Sequence, residues 1–390
     1  MVRPARGLSW FDRDPAVGAP TVDGDHGKVG AFSFSRKDVE AAMRRFAVAS
    51  PAPLLRLAQT LDDGDRRLEM SELIAAGRLA TADLTKGFSV GPAALAEVMK
   101  AQRRPEESLL LRMARRFDDG DRILEPHELE RAAKLLGSVV EPNDVAAIYR
   151  RTRALPAEVE TIGVVSDATR SREILAARFP TTNGSEPELR VVITGGVHGD
   201  EPAGAGAALA FAEWLATNPA IRERVEFVVI PMVNPRGLED GTRRTPEDVD
   251  TNRSLGPDAE HKTQEGKIVT AFLKSNAFDL GIDLHSGSPK RNGFWLMHRG
   301  AEDLLGPVMK AFDVEWPVLA GDVRPYIAQR PGVLVSRNSG TMKDEFVRCG
   351  ARWGVTVEAP RSISYLDRVF GEMELIQRIV GAALGRQAIA

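Results

Sequence analysis

The chain has 390 residues, of which 43% are hydrophobic, 27% charged and 35 glycine; these are globular proportions, and they exclude a disordered or collagen-like chain. At about 150 residues per domain, such a length suggests two or three domains. The 52 basic and 55 acidic residues leave a formal net charge of −3, which excludes a chain-wide basic surface for nucleic acid, and a lone cysteine, Cys349, excludes internal disulfides and multi-thiolate metal sites.

Residues 1–29 mix Pro, Gly, Asp and His without periodicity and are expected to form a flexible tail. They contain no apolar run of the signal-peptide kind. The longest uncharged, mostly apolar stretch, residues 202–212, falls far short of the ~18 residues that span a bilayer. These features predict a soluble, cytoplasmic protein with neither a nucleic-acid nor a membrane partner.

An internal repeat follows. LLRLAQTLDDGDRRLEMSEL begins at Leu54 and LLRMARRFDDGDRILEPHEL at Leu110, with 13 of 20 positions identical and an offset of 56. The register extends upstream without a gap, since Phe32-Ser33 matches Phe88-Ser89 and Met43 matches Met99. Each copy reads as a short FS segment, two helices, an acidic turn and a third helix. Apolar residues at three- and four-residue spacing, as in Leu54, Leu57, Ala58 and Leu61, carry the helical reading. An all-α domain is therefore expected over residues 30–138.

From about residue 141 the pattern changes to short apolar runs alternating with helices, and residues 139–390 form the expected second domain. ELRVVITGG, RVEFVVIPMVN, FDLGIDLHS, GFWLM and RWGVTVEAP read as strands. PAGAGAALAFAEWLA, GKIVTAFLKSN and the closing YLDRVFGEMELIQRIVGAALG read as helices. Such alternation predicts an α/β fold with a mixed, largely parallel sheet flanked by helices. Ligands on such sheets gather at the strand ends.

Four marked segments fall at those ends: His198-Gly199-Asp200-Glu201, then Asn234-Pro235-Arg236-Gly237 with GTRRTPEDVDTNR, then Asp283-Leu284-His285, then Thr356-Val357-Glu358. Two His and one carboxylate make an N/O ligand set suited to zinc, with a position open for water. A separate glutamate can act as general base.

In their order and spacing these motifs resemble the M14 zinc carboxypeptidase family, which includes murein peptide amidases and the aspartoacylase/succinylglutamate desuccinylase branch. The resemblance covers most of the last 250 residues. It implies Zn²⁺ held by His198, Glu201 and His285, with Asp250 orienting His198. It places the oxyanion-stabilising arginine at Arg243, the substrate-carboxylate pair at Asn252 and Arg253, and the general base at Glu358. The implied reaction is hydrolysis of an amide bond next to a free carboxylate in a peptide or, alternatively, an N-acyl amino acid. A calcium-responsive binding protein with an inactive peptidase fold is the reading from another class, and retention of Glu358 and Arg243 argues against it. The family pattern is not met everywhere: Arg236 stands where many members have Asp, Asp248 where many have Gly, and Thr251 replaces the usual Leu or Pro. No tyrosine occupies the segment 336–341 where the family's mobile tyrosine would lie, and Tyr326 is the substitute considered.

The DDGD turns followed by L-E-x-x-E-L resemble EF-hand loops, and Ca²⁺ is the cofactor this implies. Counting back from Glu72 puts Asp65 and Asp63 at ligand positions five and three with Leu61 first; counting back from Glu128 gives Asp121, Asp119 and Phe117. Alternatively Asp62 and Asp118 are the first ligands of loops one residue short. A calcium-free helical module of the same shape is the competing expectation.

Overall fold

The computed structural model describes residues 21–23, 26–29, 32–46, 55, 67–69, 73, 89–90, 95, 98–99, 107–115, 123–256, 263–287, 291–312, 316–319, 326–335 and 339–387. The chain divides into two compact units: Met1–Gly137 with Pro289–Asn292 and Arg361–Ile363, and Ser138–Ser288 with Gly293–Pro360 and Ser364–Ala390.

Among the described residues of the first unit are strands β1 (Thr21–Asp23), β2 (His26–Val29) and β3 (Phe32–Ser35), helix α1 (Arg36–Phe46), strands β4 (Arg67–Leu68) and β5 (Ser89–Val90), helix α2 (Glu107–Ala114), strand β6 (Ile123–Leu124) and helix α3 (Pro126–Ser138). The unit is therefore not all-α, and residues 21–23 and 26–29 are not tail: β1, β2 and β3 form an antiparallel meander. Its strands are three and four residues long, too short for a hydrophobic period to mark them. The repeat has a structural counterpart. Ser33 pairs with Arg67 and Phe34 with Leu68 in parallel, and 56 residues later Ser89 pairs with Ile123 and Val90 with Leu124 in the same way. Of the candidate calcium ligands, Asp62, Asp63, Asp65, Glu72, Asp118, Asp119 and Asp121 lie outside the described residues. Glu128 is buried, and its carboxylate accepts a hydrogen bond from the Glu125 backbone N–H at 3.0 Å.

The second unit is built on one nine-stranded sheet. Its strands are β7 (Glu158–Ser166), β8 (Ser171–Phe179), β9 (Leu189–Thr194), β10 (Val225–Ile230), β11 (Leu280–Ser286), β12 (Trp295–Arg299), β13 (Ile327–Arg330), β14 (Val333–Val335) and β15 (Trp353–Ala359). The order is β13-β14-β12-β15-β11-β9-β10-β8-β7. The central four, β15-β11-β9-β10, are parallel. Antiparallel pairs join β12 to β15, β13 to β14, β10 to β8 and β8 to β7. This is the expected mixed sheet: its parallel centre is buried on both faces and reads as apolar runs, and the antiparallel pairs lie among the outer strands.

Helices α4 (Val145–Arg153), α5 (Pro202–Thr217), α6 (Pro235–Asp240), α7 (Gln264–Ser275), α8 (Glu302–Phe312), α9 (Met342–Arg348) and α10 (Tyr365–Gln387) flank the sheet. On one face Val192, Val228 and Ile230 of β9 and β10 join Val269 and Phe272 of α7 and Met342 and Phe346 of α9 in a buried cluster. On the other face α5 packs against α10, with Tyr365 and Val369 against Gly206. The small residues of α5 permit this approach: a Cβ on Gly204 would lie 2.5 Å from the Leu284 carbonyl oxygen of β11. Trp295 and Trp353 are core residues.

Candidate metal centre

Period-two alternation decides which side chains the central strands present to the site. Residues 281, 283 and 285 of β11 share a face, as do 354, 356 and 358 of β15. The parallel register sets His285 beside Glu358 and Asp283 beside Thr356. On the other side of β11, Asp283 is the partner of Thr194, the last residue of β9.

His198 and Glu201 arrive from the turn between β9 and α5. Glu201 is the N-cap residue of α5, yet its side chain makes no capping bond; the carboxylate turns instead toward the strand ends, where its Oε2 accepts from the Ser286 backbone N–H at 3.0 Å. The turn is tied down by Gly199, whose N–H donates to the Thr242 carbonyl at 2.9 Å. A Cβ at Gly199 would lie 1.9 Å from the Gly237 backbone, so only glycine permits this approach between the two candidate ligands.

Three buried side chains converge. His198 Nδ1 lies 3.2 Å from Glu201 Oε1, and His285 Nδ1 lies 2.8 Å from Glu201 Oε2. The donor atoms of this His–Glu–His group lie within 4.8 Å of one another. Each ring has a carboxylate on its far nitrogen: His198 Nε2 is 3.0 Å from Asp250 Oδ1, and His285 Nε2 is 2.6 Å from Asp283 Oδ2. Those carboxylates hold the ring protons on Nε2. Both Nδ1 lone pairs then face the Glu201 carboxylate, an arrangement that repels itself unless a cation or a proton lies between. The donor set and its orientation fit a zinc ion.

The electrostatics agree. Burial alone would push the His285 imidazole down, but the Asp283 and Glu201 carboxylates hold it well above the usual histidine range. Against the same burial, Glu201 and Asp250 raise His198. Glu201 is held well below the usual carboxylate range by the two imidazoles, although burial opposes this. A metal must therefore displace protons from the imidazoles. Zinc uptake is expected to strengthen as pH rises toward the raised histidine values and to release protons, which calorimetry in buffers of different ionisation enthalpy would read; pH-independent affinity with no proton release would contradict it.

Arg243 donates from Nη1 to Glu201 Oε1 at 2.9 Å and from Nε to Asp250 Oδ2 at 3.2 Å. Asn252 is buried; its Oδ1 accepts from the Met342 backbone N–H at 2.7 Å, and its Nδ2 lies 2.9 Å from His285 Nε2. Exposed Arg253 donates from Nη1 to the Asn252 carbonyl at 2.7 Å. The structure thus brings His198, Glu201, His285, Asp250, Arg243 and Asn252 into one bonded network, with Arg253 at its rim and Glu358 beside His285.

Two of the departures from the family pattern have physical reasons. Arg236 is fully buried and donates to Glu265 at 2.9 Å and to Glu247 at 3.0 and 3.2 Å, anchoring the loop that carries Arg243 and Asp250. Asp248 has φ of 59°, the left-handed region where glycine is the usual choice and Asp is tolerated. Tyr326 packs against the cluster of Trp295, Met297 and Leu334. His298 bonds Gln329 at 2.8 Å and accepts from the Ala301 N–H at 3.3 Å, which accounts for it without a role in the site. His261 and Lys290 lie outside the described residues. Arg330 lies against Gly306 of α8. Asp283 and Thr194 were missed from sequence, although a D-x-H on a strand already places both side chains on one face.

Comparison with known proteins points the same way. Residues 187–322 match the family profile described as the succinylglutamate desuccinylase/aspartoacylase catalytic domain. Carboxypeptidase SOL1 of Arabidopsis thaliana is 29% identical over 133 residues, which are 30% of this chain and 26% of that protein. Probable carboxypeptidase 2 of Arthroderma benhamiae is 34% identical over 110 residues, 27% of this chain and 21% of that protein. The chain thus spans about a quarter of the length of these curated relatives. The fold is similar to that of a metallopeptidase candidate from Shewanella baltica, with 20% identity, a TM-score of 0.50, and coverage of 62% of this chain and 92% of that one. Among the described residues no helix is long and apolar enough to cross a membrane.

Proposed function

We propose that this chain, whose second unit is related to carboxypeptidases and to desuccinylase/aspartoacylase catalytic domains, is a zinc-dependent hydrolase that cuts an amide bond next to a free carboxylate. The observation that carries the reading is the His198–Glu201–His285 group with a carboxylate behind each imidazole. Zinc held by these residues supplies a Lewis acid that polarises a carbonyl and makes water acidic near neutral pH. Glu358, half-buried beside His285, takes the proton of the attacking water and passes it to the leaving amine. Arg243, aimed at the same point through its bond to Glu201, stabilises the negative charge that develops on the carbonyl oxygen. Asp250 keeps His198 in the binding tautomer. Arg253 takes the substrate carboxylate in a bidentate fork. Asn252 shares that contact if its amide turns from His285, and otherwise orders Arg253 through its carbonyl.

Arg253→Ala is expected to raise KM for free-acid substrates with a smaller effect on kcat. A KM unchanged from wild type would remove Arg253 from that role.

The reading divides on the acyl side. A peptidase needs an open groove there for the chain; a deacylase needs only a small pocket. The match of residues 187–322 to a deacylase catalytic domain favours the second, whereas the unbroken G-T-R and V-D-x-N-R register favours a peptidase. We take the peptidase reading. It is tested by kcat/KM for a short peptide against an N-acyl amino acid with the same leaving residue. The peptide should be the better substrate; a preference of about tenfold for the acyl amino acid, worth ~1.4 kcal/mol of transition-state stabilisation, would reverse the choice. Calcium binding at the DDGD turns and the cytoplasmic location stay proposals read from sequence.

A further inference from the structure

The buried centre gathers three carboxylates around its two imidazoles. Glu201, Asp250 and Asp283 all lie within its hydrogen-bonded network, with Arg243 the guanidinium that touches two of them. Asp283 stands apart because it is wholly buried and uses both carboxylate oxygens: Oδ2 lies 2.6 Å from His285 Nε2, and Oδ1 accepts from the Thr194 hydroxyl at 2.7 Å. Thr194 is its register partner across the parallel β9–β11 pair and is equally buried. Taking a carboxylate out of water is costly, so its bonds to the imidazole and the hydroxyl must be kept in the folded chain. A metal on the opposite nitrogen would take the place of the proton that the two carboxylates otherwise favour there.

We propose that Asp283 is the positioning residue of His285, and that Thr194 fixes it. Two bonds on two oxygens stop the carboxylate rotating, so the His285 proton is confined to Nε2 and the Nδ1 lone pair is aimed at the metal position. Asn252 Nδ2 lies 2.9 Å from the same Nε2 and could donate to it only if the ring proton were elsewhere; the shorter 2.6 Å contact with the Asp283 carboxylate, which can only accept, places the proton on Nε2. Both imidazoles of the centre are then oriented by carboxylates, Asp250 from the loop and Asp283 from the strand that carries the ligand itself. The inference rests on the reading of His285 as a zinc ligand.

The test measures zinc affinity of the full chain by competition with a chromophoric chelator, with zinc alone and no substrate, for wild type, Asp283→Asn and Thr194→Val. Loss of an orienting partner of this kind typically costs about 10–100-fold in metal affinity, and that is expected for Asp283→Asn, with a smaller loss for Thr194→Val. The His285 Nε2 proton should appear in the NMR spectrum of the zinc-loaded wild type as a slowly exchanging downfield signal that moves in both variants, a change that a packing defect would not localise to this ring. If Asp283→Asn fails to fold, Thr194→Val keeps shape and charge and carries the test. Zinc affinities for the folded variants within about twofold of wild type, against the 10–100-fold expected, would overturn the role of Asp283 while leaving the metal centre intact. A wild type that takes up no zinc would overturn both.

Discussion

Glu358→Gln is expected to lower kcat by about 10²–10⁴-fold, the usual worth of a positioned general base, while leaving zinc content unchanged. The separation follows from where Glu358 sits. It is the register partner of His285 on the neighbouring parallel strand, so its side chain emerges on the same face as the ligand without belonging to the His–Glu–His group. Glutamine keeps the volume and removes the basic oxygen. Metal analysis of the purified variant beside its kcat checks both halves. Activity within tenfold of wild type would take the proton transfer away from Glu358.

His285→Ala is expected to cost both the metal and the fold's margin of stability. Its Nδ1 is one of two imidazole donors facing Glu201, and its Nε2 carries the contact with buried Asp283. Removing the ring leaves two carboxylates of the interior short of a partner. Breaking a buried pair in this way typically costs about 3–5 kcal/mol, so the metal-free variant should unfold at clearly lower temperature than metal-free wild type. It should also fail to retain zinc through gel filtration. A variant with wild-type zinc content would show that His285 is not a ligand.

Much of the site was legible because its residues lie at the ends of central parallel strands, and those strands announce themselves as continuous apolar runs. LRVVIT, VEFVVI, LGIDLHS and WGVTVEA are β9, β10, β11 and β15. The outer strands carry no such signal. The long hairpin of β7 and β8 mixes exposed and buried positions irregularly, with a register shift near Thr161, and its place in the sheet could not be read from periodicity. The first unit escaped for a related reason: strands of two to four residues, such as Arg67–Leu68 and Ile123–Leu124, owe their existence to pairing with a distant segment. Within the site, the His198 orienter Asp250 was accessible by resemblance, whereas Thr194 required the register of β9 against β11. Arg236 looked like a departure from pattern; only its buried bonds to Glu265 and Glu247 show what it does.

The proposed reaction is hydrolysis at an amide bond beside a free carboxylate, performed by the zinc-loaded chain. Mass spectrometry of matched peptides, one ending in a free carboxylate and one in a carboxamide, with zinc-loaded and zinc-stripped protein, tests it most directly. The expected result is loss of a single C-terminal residue from the free acid, cleavage of the amidated peptide slower by about tenfold or more as befits a lost charge-assisted contact, and no cleavage without zinc. Equal rates on the two peptides, or turnover that survives removal of the metal, would contradict it.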